Sequence, residues 1–220
     1  MRRITFVMAL LLYTAPVMAD ILAGYRIEAE DLNGNPISSV AVGQNFQLAV
    51  FIHDLRNPPA RFGGAFAGFL NVAYDPLATI PPGTTTVNHT HLLIHGAVDP
   101  GFFTLVPAGD LSTPGHIFGG GAAATSLSAP GPSEQALWTL TMHARTVGTE
   151  NFTSSFDASS LPPTNSGHDT LLYDLNDVVT ADQIIFGSTS LSIVPEPSSM
   201  VLAAMGLLAL GAWTWRRRRA

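Results

Sequence analysis

The stretch FQLAVFI, residues 46–52, decides the fold class of this chain. Its apolar side chains at Phe46, Leu48, Val50 and Ile52 recur at every second position. Because successive side chains of a β-strand point to opposite sides, these four residues share one face of an extended segment. The alternation predicts a β-strand with one buried face.

The same alternation recurs in two other segments. Residues 66–74 align Phe66, Leu70, Val72 and Tyr74 on one face. Residues 136–144 place Trp138, Leu140, Met142 and Ala144 on one side and Thr139, Thr141 and His143 on the other. Both patterns predict half-buried strands.

Weaker strands are predicted at residues 22–29, 87–94, 102–106, 150–156 and 184–193. Turn signals rich in proline and glycine separate them, such as Pro81-Pro82-Gly83. The run Gly119-Gly120-Gly121 is interpreted as another turn, flexible or closely packed. Eight or nine short strands of this kind predict an all-β, antiparallel β-sandwich over residues 20–193.

Two segments resemble the cohesin family. The first combines VGQNF at residues 42–46 with the YDP triplet at 74–76, and the second is QALWTLTMHA at 135–144, followed by Gly148. The resemblance implies a nine-stranded jelly-roll sandwich that binds protein or carbohydrate without catalysis. A different sandwich, such as a fibronectin-like one, is the alternative.

The C-terminal tail, residues 194–220, has three parts in order. Pro195, Glu196 and Pro197 form a rigid extended triplet, because each proline fixes its own φ and restricts the residue before it. An uncharged apolar stretch follows and predicts a transmembrane helix over about 199–215. Arg216, Arg217, Arg218 and Arg219 then predict a cytoplasmic stop under the positive-inside rule.

This arrangement resembles the PEP-CTERM sorting signal of Gram-negative bacteria. The resemblance implies recognition by an exosortase, a polytopic membrane cysteine protease, with cleavage near the triplet and release to the cell surface or an extracellular biofilm matrix. An ordinary C-terminal anchor with a chance Pro-Glu-Pro is the alternative. The expected route is export across the inner membrane and transient anchoring by the C-terminal helix.

The N-terminus predicts a secretory signal peptide over residues 1–19. Arg2 and Arg3 form a basic start, a short apolar run follows, and Val17 and Ala19 place small residues at the positions that signal peptidase reads. Cleavage between Ala19 and Asp20 is expected.

Charge and composition exclude several functions for the region 20–193. It contains no lysine and has four arginines against 15 acidic residues, a formal net charge of −11. So acidic a domain does not bind nucleic acid through its phosphates. The chain contains no cysteine, so thiol chemistry and disulfides are excluded. We expect the partner of the sandwich to be extracellular polysaccharide or a surface protein.

Three histidines are the candidate metal ligands. His89 and His91 share a face of a predicted strand and His95 lies four residues further on, a spacing that suits zinc or copper. Exposed polar residues are the preferred interpretation, so no metal site is predicted. Asp31, Asn33 and Asn35 begin like a calcium loop but lack its later ligands, which leaves only loosely bound calcium.

The sequence predicts no enzyme. It contains no G-x-S-x-G nucleophile motif, and its loop aspartates lie beside proline and glycine, where aspartate commonly forms turns. The alternative is a secreted metal-dependent hydrolase that uses the region of His89 and His91.

Overall fold

The computed structural model describes residues 20–56, 64–85, 87–89, 93–94, 97–98, 110–123, 134–157, 170–172 and 179–217. The strands are β1 (Ala23–Glu30), β2 (Ser39–Ala41), β3 (Asn45–Asp54), β4 (Ala65–Tyr74), β5 (Ala78–Thr79), β6 (Asn88–His89), β7 (Leu93–Ile94), β8 (Ala97–Val98), β9 (His116–Ala123), β10 (Glu134–Ala144), β11 (Gly148–Phe156), β12 (Leu171–Leu172), β13 (Ile184–Ile185) and β14 (Ser188–Val194). A 3-10 turn over Ala181–Gln183 precedes β13, and one helix, α1 (Pro197–Arg217), follows β14.

Two six-stranded sheets make up the sandwich. Sheet A has the order β13-β1-β3-β10-β5, with β6 also paired to β10. Sheet B has the order β12-β4-β11-β14-β2, with β9 also paired to β4. The pairings are antiparallel except for β1 with β13 and β14 with β2, which are parallel. The predicted all-β sandwich is confirmed.

The alternating apolar residues form the core between the sheets. On β3, Phe46, Leu48, Val50 and Ile52 are completely buried, as the alternation of residues 46–52 predicts. On β10, the predicted inward set is buried as well, and it comprises Trp138, Leu140, Met142 and Ala144. Sheet B contributes the facing residues Leu70, Val72, Ile117, Phe152, Leu191 and Ile193. Burial of this apolar surface is the main stabilising contribution to the fold.

A bulge in β10 departs from the predicted alternation. Ala136 pairs with Phe51 and Trp138 pairs with Val50, so Leu137 is an extra residue on the β10 side. Leu137 and Trp138 are consecutive, yet both are fully buried. A bulge allows this because it breaks the strict alternation of side chains at one position.

The glycine-rich run is a strand, which corrects its interpretation as a turn. Gly119, Gly120 and Gly121 lie in β9, paired with β4. A Cβ on Gly120 would lie 3.0 Å from the Trp138 ring, and one on Gly121 would lie 2.1 Å from a ring carbon of Phe69. Glycine is required here because two aromatic rings approach the strand backbone.

Other predicted strands need smaller corrections. The segment 87–94 contains two separate short strands, β6 and β7, and the segment 184–193 divides into β13 and β14. The division falls at Gly187, where a Cβ would lie 2.5 Å from the carbonyl oxygen of Tyr25. The predicted strand 102–106 and the predicted signal peptide 1–19 lie outside the described residues.

Two buried polar side chains connect the sheets at one end of the sandwich. The Tyr25 hydroxyl on β1 lies 2.6 Å from Thr170 Oγ1 and accepts a hydrogen bond from Phe69 N on β4 at 3.1 Å. Gln135 Nε2 on β10 donates to the Ala65 carbonyl of β4 at 2.8 Å. These bonds satisfy polar groups whose burial would otherwise destabilise the core.

The predicted helix after the Pro-Glu-Pro triplet is present as α1, with 21 residues. Across the described residues, no helix combines the length and the apolar character that crossing a membrane requires. The prediction of a transmembrane helix over about 199–215 is therefore not supported. Its uncharged part, residues 200–215, reaches only roughly 24 Å, against a hydrocarbon core of roughly 30 Å.

Candidate functional site

The sorting tail begins directly at the end of a core strand. In β14, Leu191 and Ile193 point into the core and are buried. The strand pairs with β11 on one side and with β2 on the other, and Val194 lies opposite Ala41. Val42 N donates to the Val194 carbonyl at 2.9 Å. The sheet therefore holds the chain up to the residue before the triplet.

The turn between β2 and β3 lies against the triplet. Gly43 has φ +86°, a left-handed conformation that glycine adopts without strain. A Cβ at this position would lie 3.1 Å from Glu196 Oε1. Pro195 and Glu196 are exposed, so the triplet lies at the surface of the sandwich beside this turn.

Helix α1 presents a large apolar surface to its surroundings. Leu202, Leu207 and Leu208 are 65%, 71% and 73% exposed, and Val201, Met205, Leu210 and Trp215 are exposed to a similar degree. Soluble proteins rarely leave so many adjacent large apolar side chains in water. This surface is suited to a hydrophobic partner. Arg217 lies at the end of the helix, and Arg218 and Arg219 lie outside the described residues.

A second candidate site is a depression of about 520 Å³ on sheet B, beside β5 of sheet A. Its polar lining residues come from β4, β5, β9, β11 and the neighbouring turns, and they are Tyr74, Asp75, Thr79, His116, Arg145, Asn151 and Thr153. His116 lies opposite Ala73 on β4, and Ala73 lies opposite Thr153 on β11, so three strands form the floor.

The depression has hydrogen-bonded polar groups and the exposed ring of His116. Asp75 Oδ2 accepts a hydrogen bond from Asn151 Nδ2 at 2.7 Å, which orients both side chains. The rings of His116 and Phe118 stack, with centroids 5.3 Å apart and planes 10° apart. Arg145 adds an exposed cation. Such a combination can hold a polar ligand that also has an apolar face.

Glu150 lies behind this depression, in the core. It is completely buried on the inward face of β11, and its Oε2 accepts a hydrogen bond from Ala78 N at 2.6 Å. Its Oε1 has no hydrogen-bond partner among the described residues. Burial raises the pKa of Glu150 to about 7, opposed by the bond from Ala78 and reinforced by the Asp75 carboxylate. Glu150 thus joins sheet B to β5 of sheet A.

Sequence reasoning overlooked this carboxylate, although a signal was present. Glu150, Phe152 and Ser154 alternate on one face of a predicted strand, so a buried Phe152 requires a buried Glu150. The depression was also overlooked, because its residues come from separate parts of the sequence. Only the pairing of β4 with β9 and β11 brings them together.

Most of the candidate histidine cluster lies outside the described residues. The backbone of His89 lies in β6, opposite Trp138 of β10. His91 and His95 lie outside the described residues. In the described part of the chain, no group of three or more His, Cys, Asp or Glu side chains is arranged to hold a metal ion.

The calcium-like segment at Asp31 is a hydrogen-bonded turn. Asp31 Oδ1 accepts from Asn33 N at 2.8 Å and from Asn35 N at 2.9 Å, and Oδ2 accepts from Asn35 Nδ2 at 2.9 Å. The bonds from Asn35 hold the pKa of Asp31 below its usual value. The carboxylate therefore stabilises its own turn.

Comparison with known proteins identifies the tail. Residues 194–219 match the PEP-CTERM protein-sorting motif. The sorting signal predicted from Pro195, Glu196 and Pro197 is thereby confirmed as a match to this motif, which marks a protein for export and sorting to the cell surface. No match to the chain is found among curated proteins.

The solved structures similar to this chain include several cohesin modules. One is the cohesin module of a family 33 glycoside hydrolase from Clostridium perfringens, at 12% identity and a TM-score of 0.45, covering 80% of this chain and 99% of that chain. A second is a type II cohesin of the ScaA scaffoldin of Acetivibrio cellulolyticus, at 14% identity and a TM-score of 0.46, covering 79% and 98%. A third is a type III cohesin of the ScaE scaffoldin of Ruminococcus flavefaciens, at 12% identity and a TM-score of 0.43, covering 79% and 88%.

Proposed function

We propose that this chain is an exported, non-catalytic surface or matrix protein that an exosortase sorts through residues 194–219. The observation that carries the proposal is the match to the sorting motif on a helix whose large apolar side chains are exposed. An apolar surface of this kind needs a hydrophobic partner, and the sorting protease supplies one. Pro195 and Glu196 precede that helix and are exposed.

The proposed route has two cleavages. Signal peptidase removes residues 1–19 and leaves Asp20 as the new N-terminus. The exosortase then holds the chain by its tail, and cleavage near the triplet frees the sandwich on the outer side. The net charge of −11 over residues 20–193 favours solubility outside the cell.

Replacing the triplet tests this proposal. We expect Pro195→Ala, Glu196→Ala and Pro197→Ala together to leave export intact and to block processing. The reason is that the prolines keep the helix from extending back over residues 195 and 196, where the extended segment begins. The measurement is fractionation of cells that contain the exosortase, with blotting for size. The matched control replaces the exposed Ser188, Ser190 and Ser192 of β14 with alanine and should be processed normally. Normal processing of the triplet variant would contradict the proposal.

For the sandwich, we propose that the depression on sheet B binds a carbohydrate of the extracellular matrix. The exposed His116 ring, which stacks on Phe118, offers an aromatic contact for the apolar face of a sugar ring. Asp75, Asn151 and Arg145 supply acceptors and donors for its hydroxyl groups.

A glycan array with the protein comprising residues 20–194 tests this binding. We expect His116→Ala and Arg145→Ala each to weaken binding about tenfold, a loss of about 1.4 kcal/mol. Ser190→Ala, on the exposed side of β14, is the control and should bind normally. Binding of a purified surface protein in place of glycans, or equal binding by all three variants, would contradict the carbohydrate proposal.

A further inference from the structure

Only two residues separate the folded sandwich from the helix of the sorting tail. Strand β14 ends at Val194, and α1 begins at Pro197. A protease binds its substrate as an extended segment, commonly through main-chain hydrogen bonds like those of a β-strand. Pro195 and Glu196 alone are too short for this, so one of the two flanking elements must open.

The strand side resists opening. Leu191 and Ile193 are buried in the core, and their removal would expose apolar surface from the inside of the sandwich. Backbone bonds also hold this end, since Ser192 N donates to the Ser38 carbonyl at 3.0 Å and Val42 N donates to the Val194 carbonyl at 2.9 Å. Strand β14 lies between two neighbours, β11 and β2, so both of its edges are paired.

The helix side opens easily. The first N–H groups of a helix have no partner within it, so the first turn is held by fewer bonds than the turns that follow. A helix gains most of its stability from tertiary packing. The described apolar side chains of α1 are instead exposed, as Val201 and Leu202 show near its start.

We infer that the exosortase obtains its substrate by unwinding the first turn of α1, while β14 stays in sheet B. The inference rests on the proposed function. It places the cleaved bond on the C-terminal side of Val194, before Val201. Hydrolysis breaks one peptide C–N bond there, joins the hydroxyl of water to the carbonyl carbon and leaves the remaining proton on the new amine of the tail. The product retains the whole of β14.

The intact mass of the released protein tests the position of the cut. The full chain is expressed in cells that contain the exosortase, and the C-terminal residue is assigned from the mass. We expect it to lie within residues 194–200. A C-terminal residue at Ile193 or earlier would overturn the inference and leave the proposed function standing. Absence of any processing of the unaltered chain would instead refute the proposed function.

Two variants test which element opens. A flexible Gly/Ser insertion of about six residues between Val194 and Pro195 supplies extended chain without unwinding. We expect it to speed processing by about threefold or more, because cleavage of a transiently opened segment follows the population of the open form. The same insertion between Asn33 and Gly34, in an exposed turn, should leave the rate unchanged.

The second variant, Ile193→Ala, loosens the end of β14 and should also leave the rate unchanged. A clear acceleration by Ile193→Ala would show that the strand opens. No acceleration by the insertion after Val194 would show that neither element limits access of the protease. Either result would overturn the inference. Circular dichroism of each variant checks that the sandwich remains folded.

Discussion

Glu150 shows how one side chain makes the sandwich sensitive to pH. The unfolded carboxyl has a pKa near 4.5, and burial raises the pKa to about 7 in the folded protein. The folded state therefore binds the proton more tightly than the unfolded state does. The stabilisation from Glu150 is complete below about pH 4.5 and is lost as the pH rises through about 7.

Glu150→Gln should remove this dependence. The amide keeps an oxygen that can accept the hydrogen bond from Ala78 N, and it carries no charge. We expect the variant to match the natural protein near pH 4.5 and to exceed its stability by on the order of 3 kcal/mol at pH 8. Urea unfolding of both proteins from pH 4.5 to pH 8 gives the difference. Two parallel stability curves would contradict the raised pKa.

Replacing Trp138 tests which face of β10 points into the core. Its side chain is completely buried, and its Nε1 has no hydrogen-bond partner among the described residues. Trp138→Ala should lower the free energy of unfolding by roughly 3–5 kcal/mol, because it leaves a large cavity. Trp138→Phe is the matched control and should cost less, because it retains a ring and removes the unpaired N–H. Denaturant unfolding measures both, and a loss under about 1 kcal/mol for the alanine variant would place Trp138 outside the core.

Among the strands, β9 requires glycine at position 120 because its backbone packs against the Trp138 ring. Gly120→Ala would bring a methyl group to 3.0 Å from the rigid Trp138 ring. We expect a loss of roughly 1–3 kcal/mol from this overpacking. In a Trp138→Leu background the same change should cost less, because the smaller side chain leaves room. Additive losses in the double variant would show that the two residues are not in contact.

The elements differ in how far the sequence predicts them. Strands β3 and β10 were predicted with their buried faces, because each alternates over many residues. Strand β9 was missed, because its glycines are explained only by the Trp138 and Phe69 rings of other strands. Short edge strands such as β5 were missed as well, since their two residues form no pattern and exist through pairing with β10.

The two candidate sites also differ in how far the sequence predicts them. The sorting tail is one continuous segment, so Pro195, Glu196 and Pro197 were recognised directly from their order. The depression on sheet B requires the register of three strands, which no local pattern specifies. The transmembrane helix predicted over about 199–215 is not supported, since no described helix combines the required length and apolar character.

In the whole molecule, the described apolar side chains of α1 are not part of the sandwich core. Described apolar side chains of α1 are exposed, whereas the core is formed by residues of the two sheets. Removing residues 198–220 should therefore change the free energy of unfolding by less than about 0.5 kcal/mol. Denaturant unfolding of the shortened and full-length proteins in the same detergent measures this. A loss above about 1 kcal/mol would show that α1 packs on the sandwich.

Exosortase processing of the tail is tested by the intact mass of the protein recovered outside cells that have, or lack, the exosortase. We expect a released form that begins at Asp20 and has lost its tail in the first strain, and no release of a shortened form in the second. Recovery of the same shortened protein from both strains would mean that an exosortase does not process the chain.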